Sequence, residues 1–222
     1  MAGSGLVEQG TPIAETRRRQ IEGVASALFR ERGYAGTGMR EIARGLQLRG
    51  ASLYAHVGSK EDVLFSIVER AADRFAKALS PYLHADGMSP EYRLRGMIRA
   101  HVRVLTDNLA DSAVFLDEWR FLGAERRAEI LARRDNHERA FSNAIADGVE
   151  AGEFRLIDER IAARSLLSAL NGIAGWWRPD RPLSADQIAE AYADLHLAGL
   201  LADPADRARV PALTPLQPRP PR

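Results

Sequence analysis

Residues 29–61 read FRERGYAGTGMREIARGLQLRGASLYAHVGSKE, and the punctuation of this stretch decides the fold class. A helix from about Thr16 to Arg32 carries Ile21, Val24, Ala25, Leu28 and Phe29 on one face and meets Gly33, a residue suited to end it. Thr37 is placed to cap a second, short helix with Met39, Ile42, Ala43 and Leu46 inward. A third is expected from about Arg49 to His56. Gly58-Ser59-Lys60 then breaks the pattern, and Ser59 is placed to cap a long fourth helix. That helix shows Leu64, Ile67, Val68, Ala71, Phe75, Ala78 and Leu79 at helical spacing and should stop near Pro81. Its polar opposite face suggests a connector between two cores. Three short helices ahead of a long one outline a helix-turn-helix head.

Working outward, the apolar period stays helical. Ser89-Pro90 starts a fifth helix, a cap followed by proline in the first turn, with Leu94, Ile98, His101, Val102, Leu105 and Leu109 on one face. A sixth spans about Ser112 to Phe121 and a seventh about Glu125 to Ala151, ended by Gly152. Asp158 opens an eighth that ends in Gly175-Trp176-Trp177-Arg178-Pro179. The ninth starts at the capping box Ser184-Ala185-Asp186-Gln187 and runs to about Leu201. No stretch alternates with period two, so the fold class is all-α, with nine helices. Residues 1–14 are unpatterned and expected to be disordered, and residues 203–222, with six of the eleven prolines, are expected to trail as a linker-like tail. This divides the chain into a head at 15–60 and a body at 61–202.

The 222 residues suffice for a sizeable core, and 45% hydrophobic with 27% charged residues is the balance of a soluble globular chain. No run approaches the ~20 apolar residues of a membrane span. The N-terminus lacks the basic start and apolar run of a secretory signal, and cysteine is absent, which rules out disulfides, thiolate zinc sites and cysteine nucleophiles. A cytoplasmic protein is expected. The net charge of +1 conceals a division: from Thr16 to Lys60 nine Lys/Arg face three Asp/Glu, a local excess of +6. A basic module at one end of a mildly acidic body suits a polyanion partner there.

Phe29-Arg30-Glu31-Arg32-Gly33-Tyr34, Thr37-Gly38-Met39-Arg40-Glu41-Ile42-Ala43, Leu53-Tyr54-Ala55-His56 and Gly58-Ser59-Lys60-Glu61 together resemble the N-terminal domain of TetR-family repressors. The resemblance implies that Ser52, Tyr54 and His56 face double-stranded DNA, with Thr37, Arg40 and Lys60 on phosphates. In physical terms, Gly50-Ala51-Ser52 keeps the start of the recognition helix slim enough to enter the major groove, and Arg49 can reach a guanine edge or a phosphate. Three residues depart from the family pattern: Gln47 where glycine is usual in the turn, Arg49-Gly50 entering the third helix, and Val57 where phenylalanine is expected.

The body is where such proteins bind an effector and dimerise. Phe75, Tyr82, His101, Phe115, Trp119, Phe141, Asn171, Trp176 and Trp177 are candidates to line an apolar cavity with a few polar groups; the same aromatics suit an ordinary core. Arg95, Arg99 and Arg103 recur every four residues, and Arg120 and Arg178 follow tryptophans. Two readings stand: arginines gripping a hydrophobic anion, with Arg103, Arg120 and Arg178 as the candidates, or a solvated basic face paired with acids. The segment 113–120 and the Asn171 to Trp177 region resemble those of relatives that answer to acyl-CoA thioesters. The five histidines show no helical pairing, and neither a metal ligand set, a cofactor loop nor a nucleophile elbow is visible, so no enzyme is expected.

Leu166, Leu170 and Ile173 on the eighth helix and Ile188, Tyr192, Leu195 and Gly199 on the ninth form stripes that the family resemblance assigns to a homodimer interface. A two-fold dimer implies a roughly palindromic operator. The expected function is a repressor released when an effector tilts the fourth helix. Two other readings stay open: a helical binding or catalytic protein with a vestigial head, and a ligand-independent or activating regulator.

Overall fold

The structure, a computed structural model, describes residues 12–83 and 87–202. In chain order the helices are α1 (Pro12–Arg32), α2 (Met39–Gly45), α3 (Gly50–Tyr54), α4 (Lys60–Leu83), α5 (Pro90–Asp107), α6 (Leu109–Asp117), α7 (Ala124–Glu150), α8 (Glu159–Trp176) and α9 (Ala185–Leu200), with a single 3-10 turn at Trp119–Phe121. Nine helices and no strand are present among the described residues; one isolated antiparallel bridge, Phe154 to Leu201, ties the end of α9 to the turn after α7. Several ends are capped as the residues dictate. Ser59 Oγ accepts from the Asp62 amide at 3.0 Å and Ser89 Oγ from that of Tyr92 at 3.3 Å. The Ser184/Gln187 box closes in both directions.

Four boundaries differ from the sequence reading. Pro12, Ile13 and Ala14 belong to α1, since proline in a first turn is already set for the helix; residues 1–11 and the 203–222 tail lie outside the described residues. Thr37 does not cap α2. Gly38 holds that position, and the reach-back comes from Glu41, whose Oε2 accepts from the Gly38 amide at 2.8 Å. The α4 helix runs through Pro81, where the carbonyl deprived of its amide partner, that of Lys77, accepts instead from Ser80 Oγ at 2.8 Å. The predicted sixth helix splits at Glu118, leaving Trp119 in the tight turn.

The α4 helix does not separate two cores: Val63, Leu64, Ile67, Val68, Ala71, Phe75 and Leu79 form part of one core running from Ile21, Phe29, Ile42 and Leu53 in the head to Leu94, Ile145 and Leu170 in the body. The polar side of α4 carries a second tie. Glu22 of α1, only 2% exposed, accepts from Arg18 at 3.1 Å, from Ser66 Oγ at 2.5 Å and from Arg70. Arg70 and Arg74 both donate to Asp111 of α6, at 3.1 and 2.7 Å. A buried carboxylate is tolerable when its oxygens are satisfied in this way, and here they pin α1, α4 and α6 together.

The arginine stripe of α5 resolves in favour of the paired reading. Arg95 donates to Glu190 and Asp194 of α9, Arg99 to Glu190, and Arg103 to Asp186 at 3.0 Å. These guanidiniums zip α5 to α9 along the body's edge.

Candidate functional site

In the head, α3 is anchored by the fully buried Leu53 and by Val57, which fills the place expected of a larger ring. Arg40, Arg49, Gly50, Ser52, Tyr54 and His56 are all exposed on or beside α2 and α3, with Tyr54 56% open to solvent, and Ala51 lies on the same short helix. The turn that aims this helix passes through Gln47 at φ +56, the left-handed region where glycine is usual, and closes by a hydrogen bond from the Leu48 amide to the Ala43 carbonyl at 2.9 Å.

Two residues assigned to phosphates turn inward. Thr37 is 2% exposed and its hydroxyl donates to the Gly33 carbonyl at 3.0 Å. Lys60 Nζ donates to the carbonyls of Tyr34 and Thr37, each at 2.9 Å, and sits 4.0 Å above the Tyr34 ring. The carbonyls of the turn after α1, of which that of Tyr34 also accepts from the Thr37 amide at 3.2 Å, gain a charged donor from the first residue of α4. Tyr34 is the centre of this joint. Its amide donates to Glu118 Oε2 at 3.1 Å, its ring stacks on Phe121 and meets the edge of Phe29. Burial, then Glu61 and Asp62, push its hydroxyl above the ordinary tyrosine range.

In the body, Phe75, His101, Phe115, Leu167 and Asn171 line a cavity of about 310 Å³ together with Arg134 and His137 of α7. His101 Nδ1 and His137 Nε2 lie 3.0 Å apart, so one donates to the other. Phe75, Phe115 and Phe141 surround the pair. Burial holds both imidazoles below the ordinary histidine value, His101 further lowered by His137 with Asn171 opposing, and His137, at about 4, by Arg134. The pair is therefore neutral at neutral pH. Although Asn171 adjoins the ring, neither His101 Nε2 nor Asn171 Oδ1 completes a well-formed hydrogen bond, and both atoms are buried. Such groups cost free energy in an apolar setting unless a ligand or water answers them. Arg134 donates to the Phe115 carbonyl at 3.2 Å and covers the rings of Phe115 and Trp119.

Other sequence candidates are placed elsewhere. Tyr82 lays its ring on Gly96, where a Cβ would collide with it, and so closes the α4–α5 seam. Arg103 belongs to the α5–α9 zipper, and Arg120 is exposed and bound to the Asp117 carbonyl. Trp176 is 48% exposed on the outer end of α8. Phe141 stands behind the histidines, and Trp177 is buried with Nε1 unpartnered. Arg178 lines a second, outer pocket with Asn171 and Arg134. The proposed dimer stripes are corrected in part: Leu166, Leu170, Ile173 and Ile188 are at most 3% exposed within one chain and serve its own core, Tyr192 is half-buried, and only Leu195 and Gly199 face outward.

Sequence reasoning missed Arg134 and His137. Their spacing to Phe141, three and then four residues along α7, was a usable signal of one shared face. Among the described residues no group of three or more histidines and carboxylates is disposed to hold a metal, and no helix is long and apolar enough to cross a membrane.

Comparison with known proteins agrees with this layout. Residues 23–67 match the family described as bacterial regulatory proteins, tetR family, and residues 87–200 match the tetracyclin repressor-like C-terminal domain. The chain is 27% identical over 187 residues to the HTH-type transcriptional repressor KstR2 of Mycobacterium tuberculosis, covering 83% of this chain and 93% of that one. It superposes on the TetR-family regulator PfmR from Thermus thermophilus with a TM-score of 0.74 at 37% identity, covering 81% of this chain and 97% of PfmR. It superposes also on AibR, solved with isovaleryl coenzyme A and operator DNA, at a TM-score of 0.72 and 32% identity over 81% and 97% of the two chains. These relatives regulate transcription and are not enzymes. With a basic three-helix head clamped to a cavity-bearing helical body and both halves matched, the chain belongs to the TetR family of DNA-binding transcriptional regulators.

Proposed function

We propose that the protein is a cytoplasmic repressor that binds a roughly palindromic duplex operator as a homodimer and is released by a small hydrophobic anion, with an acyl-CoA thioester as the leading class. The head comprises residues 15–60 and the body residues 61–202. The observation that carries the reading is the body cavity, whose wall holds two buried polar side chains, His101 and Asn171, weakly bonded to one another among aromatic rings. An apolar chain would fill the space between Phe75, Phe115 and Leu167, and a polar head group would answer the polar atoms. The similarity to AibR, whose structure holds isovaleryl coenzyme A, supports the thioester class.

Dimerisation is supported by the outer faces of α8 and α9. Ile161 and Trp176 on α8, with Leu195, Ala198 and Gly199 on α9, are small or apolar and uncovered, and Leu195 is 71% exposed. Gly199 and Ala198 among them let two copies approach closely. Effector binding acts only through a difference in affinity between head arrangements; about 1.4 kcal/mol of coupling weakens operator binding tenfold.

The test begins with duplexes selected from a random pool by the purified protein, followed by titration of a selected duplex with acyl-CoA thioesters of increasing chain length. A selected motif with two-fold symmetry and at least tenfold weaker binding at saturating thioester support the reading. Unchanged duplex affinity across the panel overturns the thioester effector.

A further inference from the structure

About half of the arginines among the described residues are answered by carboxylates. Arg95, Arg99, Arg126 and Arg164 shift above the ordinary guanidinium value because each is hydrogen-bonded first of all to an acid, Asp194, Glu190, Asp62 and Glu138 respectively. Two arginines move the other way. Burial, then the charge of Arg178, lowers Arg30. Burial lowers Arg134, with Asp117 and Asp135 opposing it and Arg120 adding to it. None of Arg30, Arg134 and Arg178 is within ion-pair distance of a carboxylate among the described residues, yet all three line one pocket of about 490 Å³.

The three come from different parts of the fold. Arg30 is in the last turn of α1 in the head, Arg134 is in α7, and Arg178 follows the end of α8. Between them the pocket is floored by Gly172 and Gly175, at both of which an added Cβ would meet nothing within 4 Å, and it holds a single acid, Asp117. It also shares Leu116, Arg134 and Asn171 with the body cavity. The two spaces are thus neighbours across one wall, a mixed chamber lined by aromatic rings and by polar groups that include Asp135, Glu138 and Arg164, and a cationic antechamber reaching the head.

We propose that Arg30, Arg134 and Arg178 form a phosphate-binding subsite for the effector, and that the bound phosphate ties α1 of the head directly to α7 and α8 of the body. Three like charges sharing one acid, Asp117, are stabilised by a polyanion, and arginine forks match phosphate oxygens. This deepens the effector reading above and rests on it. It assigns the signal a second route into the head, through the end of α1, beside the covalent route through α4. A ligand carrying both an acyl chain and phosphates occupies both spaces, whereas a simple fatty acid occupies the inner one alone.

The test is calorimetric titration of the full-length protein with octanoyl-coenzyme A, coenzyme A, sodium pyrophosphate and octanoate. The expected result is binding of octanoyl-coenzyme A that weakens about tenfold in Arg30→Gln and in Arg178→Gln, recovers in Arg30→Lys, and is unaltered in Arg103→Gln, a guanidinium outside the pocket. Pyrophosphate binding as tightly as coenzyme A identifies free phosphate as sufficient; coenzyme A alone binding identifies the nucleotide thioester as the source, and either supports the subsite. Amide exchange in the last turn of α1 should slow on saturation with octanoyl-coenzyme A in the wild-type chain and not in Arg30→Gln. Equal affinity of Arg30→Gln and wild type for octanoyl-coenzyme A overturns the role of the head while leaving the effector cavity standing. Binding of octanoate with no binding of any phosphate-bearing probe overturns the whole subsite and leaves only the inner chamber.

Discussion

Replacing Lys60 by methionine removes a cation while keeping most of its apolar stem, and its effect separates two roles. The Nζ donates to two carbonyls at 2.9 Å and lies 4.0 Å over the Tyr34 ring. A charged hydrogen bond contributes about 1.5–3 kcal/mol when well buried and a cation over a ring roughly another 0.5. Lys60 is half-buried, so water answers part of each interaction and the expected loss for the whole joint is about 2 kcal/mol. In a chain of this length that lowers the thermal midpoint by roughly 4–8 °C. The companion measurement is the salt dependence of binding to a non-specific duplex by fluorescence anisotropy. A lysine on a phosphate contributes about 0.9 to the slope of log affinity against log salt. The structure requires the midpoint to fall and the slope to stay. An unchanged midpoint with a slope smaller by about one unit would refute the clamp and return Lys60 to the DNA surface.

Acid should weaken the fold through the histidine pair. His137 titrates at about 4 in the folded chain and near the ordinary 6.5 when unfolded, so between these values the unfolded state binds more protons. Stability is therefore complete above about pH 6.5 and declines as pH falls toward 4; melting curves of His137→Gln should show a shallower acid decline than wild type, and an identical decline would sink the assignment. Gly148→Ala would drive a Cβ into the buried ring of Phe154, which has no room to yield, and is expected to cost about 1–3 kcal/mol by urea unfolding. Arg70→Ala leaves Oε2 of the buried Glu22 carboxylate without its partner and should cost about 2–4 kcal/mol, against under about 0.5 for Arg103→Ala, whose pair with Asp186 is exposed. Equal effects of the two would contradict the burial of the α1–α4–α6 network. Leu195→Glu should convert a dimer to a monomer in light scattering while leaving the melting curve of the isolated chain little changed.

What was legible in the sequence is what depends on near neighbours. The Ser89-Pro90 start, the Ser184 to Gln187 box and the α5 apolar face are each written within a few residues, and each forms as read except that Leu109 opens α6 instead of closing the α5 face. Thr37 shows where this stops: the residue type suits a cap, but the backbone places the next residue at the cap and the hydroxyl against Gly33. The arginine stripe of α5 was visible as a stripe, while its partners Asp186, Glu190 and Asp194 lie more than eighty residues away and decide its meaning. His101 and His137 are no helical pair in sequence and become one only when α5 packs on α7. The same holds for Arg30, Arg134 and Arg178, which only the assembled fold brings together.

The joint at Tyr34 bears on how freely such proteins exchange parts. Its amide is answered by Glu118, its ring by Phe121, and its carbonyl by Lys60, so the loop after α1 is fitted to two particular residues that follow α6. Residues 15–60 are therefore not a cassette. Grafted onto another body, this head would keep its DNA-facing surface but lose its footing unless the recipient carried an acid and an aromatic ring three residues apart at the matching place. Recombination between relatives would succeed where that acid-and-ring pair is shared, and elsewhere would yield heads that bind DNA yet no longer follow the body beneath them.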